Sequence, residues 1–210
     1  MPTTITRIQK TRLGRFSLYG EEGFLFSLDS ETYFSCGVEE GDTLTDNDLA
    51  ALREKSDARK AKDKALQYLS LRLYGERELY DKLCLKFDGP TSAAAVAEMV
   101  RLELLDDARF AAQKAAWLKT RHKSRREAQR QLAEKGVDRN LIDEALDEVY
   151  GDGDEREEID RLIRRSYAAK LENGKRDAVY AALCRRGFAP RTVREALNDW
   201  ADAQQEGWEE

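Results

Sequence analysis

The sequence predicts a mainly α-helical protein: three tandem three-helix repeats forming an elongated curved array, preceded by a small N-terminal antiparallel β region. Three observations carry this expectation. Apolar and polar residues alternate through the first 45 residues, with aromatic and β-branched types frequent. From Asp46 onward that alternation gives way to helical composition. And the helical part resembles itself: "ERELYDKLCLKF", "RREAQRQLAEKG" and "KRDAVYAALCRRG" align with Leu83, Leu132 and Leu183 at one position, at register shifts of 49 and 51 residues.

The β region is "RFSLYGEEGFLFSLDSETYFSCGVEEGDTLT", interrupted by Gly-Glu-Glu-Gly and Asp-Ser-Glu-Thr. It predicts strands at Arg15–Tyr19, Phe24–Leu28 and near Tyr33–Cys36, joined by tight turns. Two or three strands alone are marginally stable, so the sheet is expected to lean on the helix that follows. Asp46 or Asn47 is the expected N-cap of that helix. The expected divisions are 1–45 for the β-rich region, 46–105 for a linker helix and repeat 1, 106–150 for repeat 2, 151–201 for repeat 3, and 202–210 for an acidic tail.

Within repeat 2 the helices are predicted at 106–120, 124–135 and 138–149. Gly136 and Gly187 stand where a helix end wants a left-handed residue. Val137 and Phe188 follow, where an apolar side chain can fold back. Asp138 caps the next helix, and Pro190 suits a first turn. Repeat 1 departs from this, with "KFDGPTS" in place of the glycine stop. The register puts Leu69 opposite Leu118 and Ala169, and Tyr68 opposite Trp117 and Ala168; Tyr68 and Trp117 are expected in the core, with base stacking the less favoured alternative. Cys84, Ala133 and Cys184 share a register position expected to be small and buried.

Composition narrows the function classes. Charged residues make up 37% of the chain against a typical quarter, which fits narrow apolar stripes and broad charged faces. The net charge of −5 argues against indiscriminate coating of DNA. Residues 1–56 carry 6 basic and 10 acidic side chains, whereas 154–200 carry 11 and 9, so a mildly basic helical body lies between acidic ends. No apolar run approaches the roughly 20 residues needed to span a bilayer, and "MPTTITRIQK" has no apolar signal core. Cys36, Cys84 and Cys184 are too widely spaced for a disulfide framework or a zinc site. A cytoplasmic, monomeric protein without membrane contact is expected.

"LLDDARFAAQ" holds two adjacent carboxylates, Asp106 and Asp107. A metal or acid–base role needs converging ligands, and no acidic or histidine cluster with ligand spacing lies near. The alternative is that Asp106 caps a helix and Asp107 favours its positive start, with an ion pair to Arg109 as a further option. Asp57 and Glu157 stand at the equivalent places. The single histidine, His122, lies in a basic run and reads as a solvated side chain. No phosphate-binding loop, nucleophile elbow or zinc-protease motif occurs. No catalytic, cofactor-binding or metal-binding residue is expected, and the protein is not expected to be an enzyme.

The strongest charge feature is the run Lys119 to Arg130, with Arg121, Lys123, Arg125, Arg126 and Arg130 against Glu127 alone among acids. Arg126 and Arg130 share a helix face. Arg164, Arg165, Arg185 and Arg186 form a second basic concentration one repeat later. These nine are candidate partner contacts, because equivalent positions on stacked repeats align. The alternative is a solvated face.

"ALQYLSLRLYGERELYDKL" and "LLDDARFAAQKAAWLKTRHKSRREAQRQLAEKGV", with "IDEAL" shortly after, resemble the RecX regulatory proteins of bacteria. The resemblance spans roughly Asp57 to Trp200 and is strongest over the first two repeats. The start, with "EEGDTLTDNDLAAL", resembles the N-terminal extension of longer members. The family pattern "lDD.rfA" falls on Asp106, Asp107 and Phe110, and its helix stop on Gly136, with Gly187 equivalent one repeat on. The resemblance implies a non-enzymatic modulator of RecA in homologous recombination, DNA repair and the SOS response. Such a protein binds RecA and its filament on single-stranded DNA, and inhibits extension, ATP hydrolysis and strand exchange. A direct DNA-binding module of the helix-turn-helix type is the alternative, and weak direct contact with DNA is left open.

Overall fold

The computed structural model describes residues 2–151 and 153–206. It is mainly helical, with a small antiparallel β region at the N-terminus, as the sequence predicts. Contacts divide it into two compact units, Met1–Leu105 and Asp106–Glu210.

In the first unit β1 (Thr3–Thr4) is the first of two paired short strands. Strands β2 (Arg7–Lys10), β3 (Phe16–Gly20) and β4 (Gly23–Leu28) form an antiparallel meander, with a register shift at Leu18/Tyr19. The predicted third strand near Tyr33–Cys36 is instead helix α1 (Ser30–Cys36). Its aromatic residues look strand-like, but Asp29 decides the matter. Its carboxylate accepts the Thr32 N–H at 3.0 Å, and Gly37 ends the helix at φ 64°. Strand β5 (Thr43–Leu44) then pairs with β1.

Helix α2 (Asp46–Leu69) is capped by Thr45, not by Asp46 or Asn47. Thr45 and Asp48 form a reciprocal capping box. The sheet leans on this helix: the Asp29 N–H donates to Ser56 Oγ at 3.1 Å and Lys60 Nζ to the Ser27 carbonyl at 2.7 Å. Because α2 runs unbroken through Asp57, that residue caps nothing, unlike Asp106. Helices α3 (Glu76–Cys84) and α4 (Gly89–Arg101) complete the first three-helix set, and Asp88 caps α4. Its core contains Ala61, Ala65, Leu79, Leu83, Val96 and Met99, with Tyr68 packed against it. Cys84 is exposed, not buried. One residue past Leu83, it is turned about 100° away from the core stripe.

The second unit starts with α5 (Asp107–Thr120), α6 (Arg125–Glu134) and α7 (Arg139–Tyr150). Asp106, Ser124 and Asp138 cap them in turn, and the Asp106 carboxylate accepts the Arg109 backbone N–H at 3.0 Å. Asp106→Ala is expected to cost about 1 kcal/mol, read by urea denaturation; an unchanged midpoint would rule out capping as its role. Trp117 is 47% exposed and outside the core, which α5 builds instead from Phe110, Ala111, Ala115 and Leu118.

Gly136 has φ 78°, and the Val137 N–H returns to the Leu132 carbonyl at 3.3 Å. The same left-handed stop recurs without glycine at His122 (φ 53°), where the Lys123 N–H reaches back to Leu118 O at 3.0 Å. His122 therefore shapes the turn into α6.

The third set is α8 (Glu155–Leu162), a π-helical turn (Ile163–Tyr167), α9 (Ala168–Glu172), α10 (Arg176–Arg185) and α11 (Pro190–Glu206). Asp154 caps α8, and Glu157 lies in its first turn, so here too the cap is not the residue the register selects. Ile159, Leu162, Leu183, Phe188, Val193 and Leu197 are buried in its core, with half-buried Cys184 against it. Helix α11 runs on through Glu206, so the first part of the expected acidic tail is helical; residues 207–210 lie outside the described residues.

Candidate partner-binding surface

The junction between the second and third three-helix sets places most of the candidate cations. Helix α6 begins where the Ser124 N–H donates to the Arg186 carbonyl at 2.9 Å, and Lys123 Nζ donates to the Arg185 carbonyl at 3.0 Å. Two basic runs 62 residues apart in sequence thus meet through the Arg185 and Arg186 carbonyls. Gly187 allows this approach. It has φ +94°, and a Cβ there would lie 2.3 Å from Glu127 Cβ and 2.7 Å from Ser124 Oγ. Tyr150 closes one side by donating its hydroxyl to Lys123 O at 3.1 Å, and burial pushes that hydroxyl up to about 12.

The nine candidate cations have unlike environments. Arg125 pairs with Asp147 and donates to the carbonyls of Leu146 (3.3 Å) and Gly151 (3.4 Å), so it fastens the end of α7. Arg130 makes a two-pronged bond to Glu127 (2.9 and 2.8 Å) and also pairs with Glu134. That bond holds the Glu127 carboxyl down at about 2, against its ordinary 4.5. Arg121 ends α5 with its guanidinium 5.2 Å from the Trp117 ring centre. Arg186 is half-buried, 5.4 Å from the Tyr167 ring centre, with one guanidinium nitrogen buried and without a hydrogen-bond partner. Arg126 and Arg185 are exposed.

Arg164 and Arg165 are exposed on the π-helical turn and line a separate depression with Glu157, Asp160 and Arg161. The structure does not group them with the junction cations; carboxylates share their hollow.

Beside the junction runs a groove of about 650 Å³ between α6, α7 and the end of α10. Arg126, Arg130 and Arg139 flank it; Ala133, Val137, Ile142 and Cys184 supply apolar lining; Glu127, already neutralised by Arg130, is its carboxylate. Arg139 was not among the sequence candidates. It opens α7 beyond the basic run, and only the packing of α7 against α6 brings it to Arg126. Among the described residues, no group of three or more His, Cys, Asp or Glu is placed to hold a metal ion, and no helix is long and apolar enough to cross a membrane.

Successive three-helix sets with side-chain caps and left-handed stops define a helical-repeat protein whose charged groups lie on helix faces. Residues 61–99 match the description "RecX, first three-helix domain" and residues 106–146 match "RecX, second three-helix domain". A regulatory protein RecX from Caldanaerobacter subterraneus subsp. tengcongensis is 26% identical over 196 residues, covering 92% of this chain and 98% of its own. A regulatory protein RecX from Staphylococcus aureus is 26% identical over 210 residues, covering 97% and 76%. A crystal structure of regulatory protein RecX superimposes with a TM-score of 0.58 at 22% identity, over 94% of this chain and 99% of that one. The RecX structure from Lactobacillus salivarius gives 0.51 at 22% identity, over 68% and 96%. These two share the fold. Over residues 61–99 and 106–146 the chain matches RecX three-helix domains, and over nearly its whole length it is similar to regulatory proteins RecX.

Proposed function

We propose that this protein binds RecA and its filament on single-stranded DNA, and inhibits filament extension, ATP hydrolysis and strand exchange. The observation that carries the reading is the groove between α6, α7 and the end of α10. Its arginine rim and apolar lining suit an acidic protein segment with an apolar anchor. Arg126, Arg139 and Arg185 are the contacts nearest to solvent. Arg125 acts indirectly, by fastening the end of α7, and Arg130 lines the rim with its charge shared with Glu127 and Glu134 of its own helix.

The test is RecA ATPase on single-stranded DNA with substoichiometric protein. Inhibition is expected, and Arg126→Glu/Arg139→Glu should weaken it about tenfold or more with the thermal midpoint preserved, since reversing rim charges costs encounter rate and affinity. No inhibition at equimolar protein would sink the proposal. Full inhibition by the double variant would move the contact elsewhere. Tight, sequence-selective duplex binding without RecA would favour the helix-turn-helix reading.

A further inference from the structure

The first 20 residues carry Arg7, Lys10, Arg12 and Arg15 and no carboxylate, although residues 1–56 as a whole are acidic. The fold gathers these four on the β2–β3 hairpin. Their pairing sets them apart. Every arginine of residues 46–105 has a carboxylate within 4.0 Å: Arg53, Arg59, Arg72, Arg77 and Arg101. Among the described residues, none of the four hairpin cations has one. The acids of the meander, Glu21 and Glu22, sit in the β3–β4 turn at the opposite end of β3, about 16 Å away at strand rise. Glu40 does reach β2, but its carboxylate accepts the Ile8 backbone N–H at 2.7 Å and pairs with none of the four cations.

The hairpin is also rigid and aromatic. The Thr11 N–H donates to Arg15 O at 2.7 Å, the Arg15 N–H returns to Thr11 Oγ1 at 3.1 Å, and Gly14 turns at φ 76°. That tie holds up Leu13, 86% exposed, between two arginines. On one face Lys10 lies 5.8 Å from the Phe16 ring centre. Phe16 stacks on Tyr33 at 3.9 Å, and Phe34 meets it edge-on at 5.4 Å while remaining 73% exposed. On the other face the Arg7 guanidinium lies 4.1 Å over Tyr19, which meets exposed Phe24.

We propose that the β2–β3 hairpin, with Phe34 beside it, is a binding site for single-stranded nucleic acid. Unpaired cations on a rigid arm match a phosphate backbone, and open aromatic faces match unstacked bases. A duplex offers phosphates but no free base faces, and binding to an anionic lipid surface is the outcome that the vesicle measurement below separates. The site lies outside the groove proposed to meet RecA, and its test needs no RecA.

Anisotropy of a fluorescein-labelled oligodeoxythymidylate of about 16 nucleotides, an upper single-strand site size, should report binding to the full chain. Arg12→Glu/Arg15→Glu should weaken it at least tenfold and flatten the salt slope by about 1.4, the loss of two phosphate contacts at roughly 0.7 each. Phe34→Ala should weaken it about tenfold with the slope unchanged, as loss of one stacked base predicts. All these side chains are exposed, and Arg12→Gln/Arg15→Gln repeats the test should the reversal unfold. Absence of binding by the intact chain, or wild-type binding by the arginine variants, would overturn the proposal. So would a duplex binding equally well with Phe34→Ala silent, or phosphatidylglycerol vesicles binding through these residues when the oligonucleotide does not.

Discussion

Gly187→Ala is expected to destabilise the second unit by about 2–4 kcal/mol, and Gly174→Ala by only about 1. Both glycines have positive φ, +94° and +71°, so both substitutions incur the left-handed strain of about 1 kcal/mol. They differ in surroundings. A Cβ on Gly174 meets nothing within 4 Å, whereas one on Gly187 falls 2.3 Å from Glu127 Cβ and 3.3 Å from Glu127 Cα. The second of these is backbone, which no rotamer change can move. The turn between α10 and α11 must retreat from α6. The Ser124–Arg186 and Lys123–Arg185 bonds then lengthen, and overpacking adds roughly 1–3 kcal/mol. Urea denaturation of the two variants side by side gives the comparison. Equal costs would mean that the close approach between the two helix sets contributes nothing. Because this contact presents Arg185 beside α6, Gly187→Ala should also weaken RecA inhibition at temperatures where the unit stays folded.

Much of this contact was legible in the sequence, and its partner was not. Gly187 announces a left-handed stop by its place after a helix and before Phe188, a local signal that needs no tertiary knowledge. That it sits against Ser124 and Glu127 depends on how successive sets pack, which no local pattern encodes. The same divide runs through the chain. Asp106 and Asp138 are read correctly as caps because a cap is made by residues two or three apart. Asp57 is misread because transferring that cap along the repeat ignores Thr45, which starts α2 far upstream. Trp117 and Cys84 are misread because alignment within a repeat fixes a register but not a face, and one residue's error turns a side chain by about 100°.

Among the candidate contacts, the sequence shows that Arg125, Arg126 and Arg130 are cationic. Only the structure shows that Arg125 and Arg130 hold carboxylates of their own unit while Arg126 faces solvent. The hairpin cations were hidden by averaging: a balance over 56 residues cancels four positive charges against acids that make no ion pair with them, Glu21 and Glu22 at the far end of β3 and Glu40 on the Ile8 N–H.

Leu132→Ala is expected to cost about 3–5 kcal/mol, at the upper end for a buried leucine. The reason lies in how little else anchors α6. Of its ten residues only Ala128 and Leu132 are buried, and the rest of its surface is charged, polar or partly open. Leu132 is thus the one large side chain by which α6 is fully embedded beside α5 and α7. Neighbouring backbone is held by the Ser124 cap and the Gly136 stop, so the site cannot easily collapse around a smaller residue. Leu132→Met keeps the volume and should cost less than about 1.5 kcal/mol. Leu85→Ala removes a side chain that is 77% exposed and should change stability by no more than about 0.5 kcal/mol. Denaturation midpoints with matched slopes would separate the three. A cost below 1 kcal/mol for Leu132→Ala would mean that α6 is held by its ion pairs and caps instead. In that case Arg130 and Glu127, which share one turn of α6 and bond chiefly to each other, would have to hold it against α5 and α7. Surface pairs of this kind contribute well under 1 kcal/mol each, too little to replace the leucine.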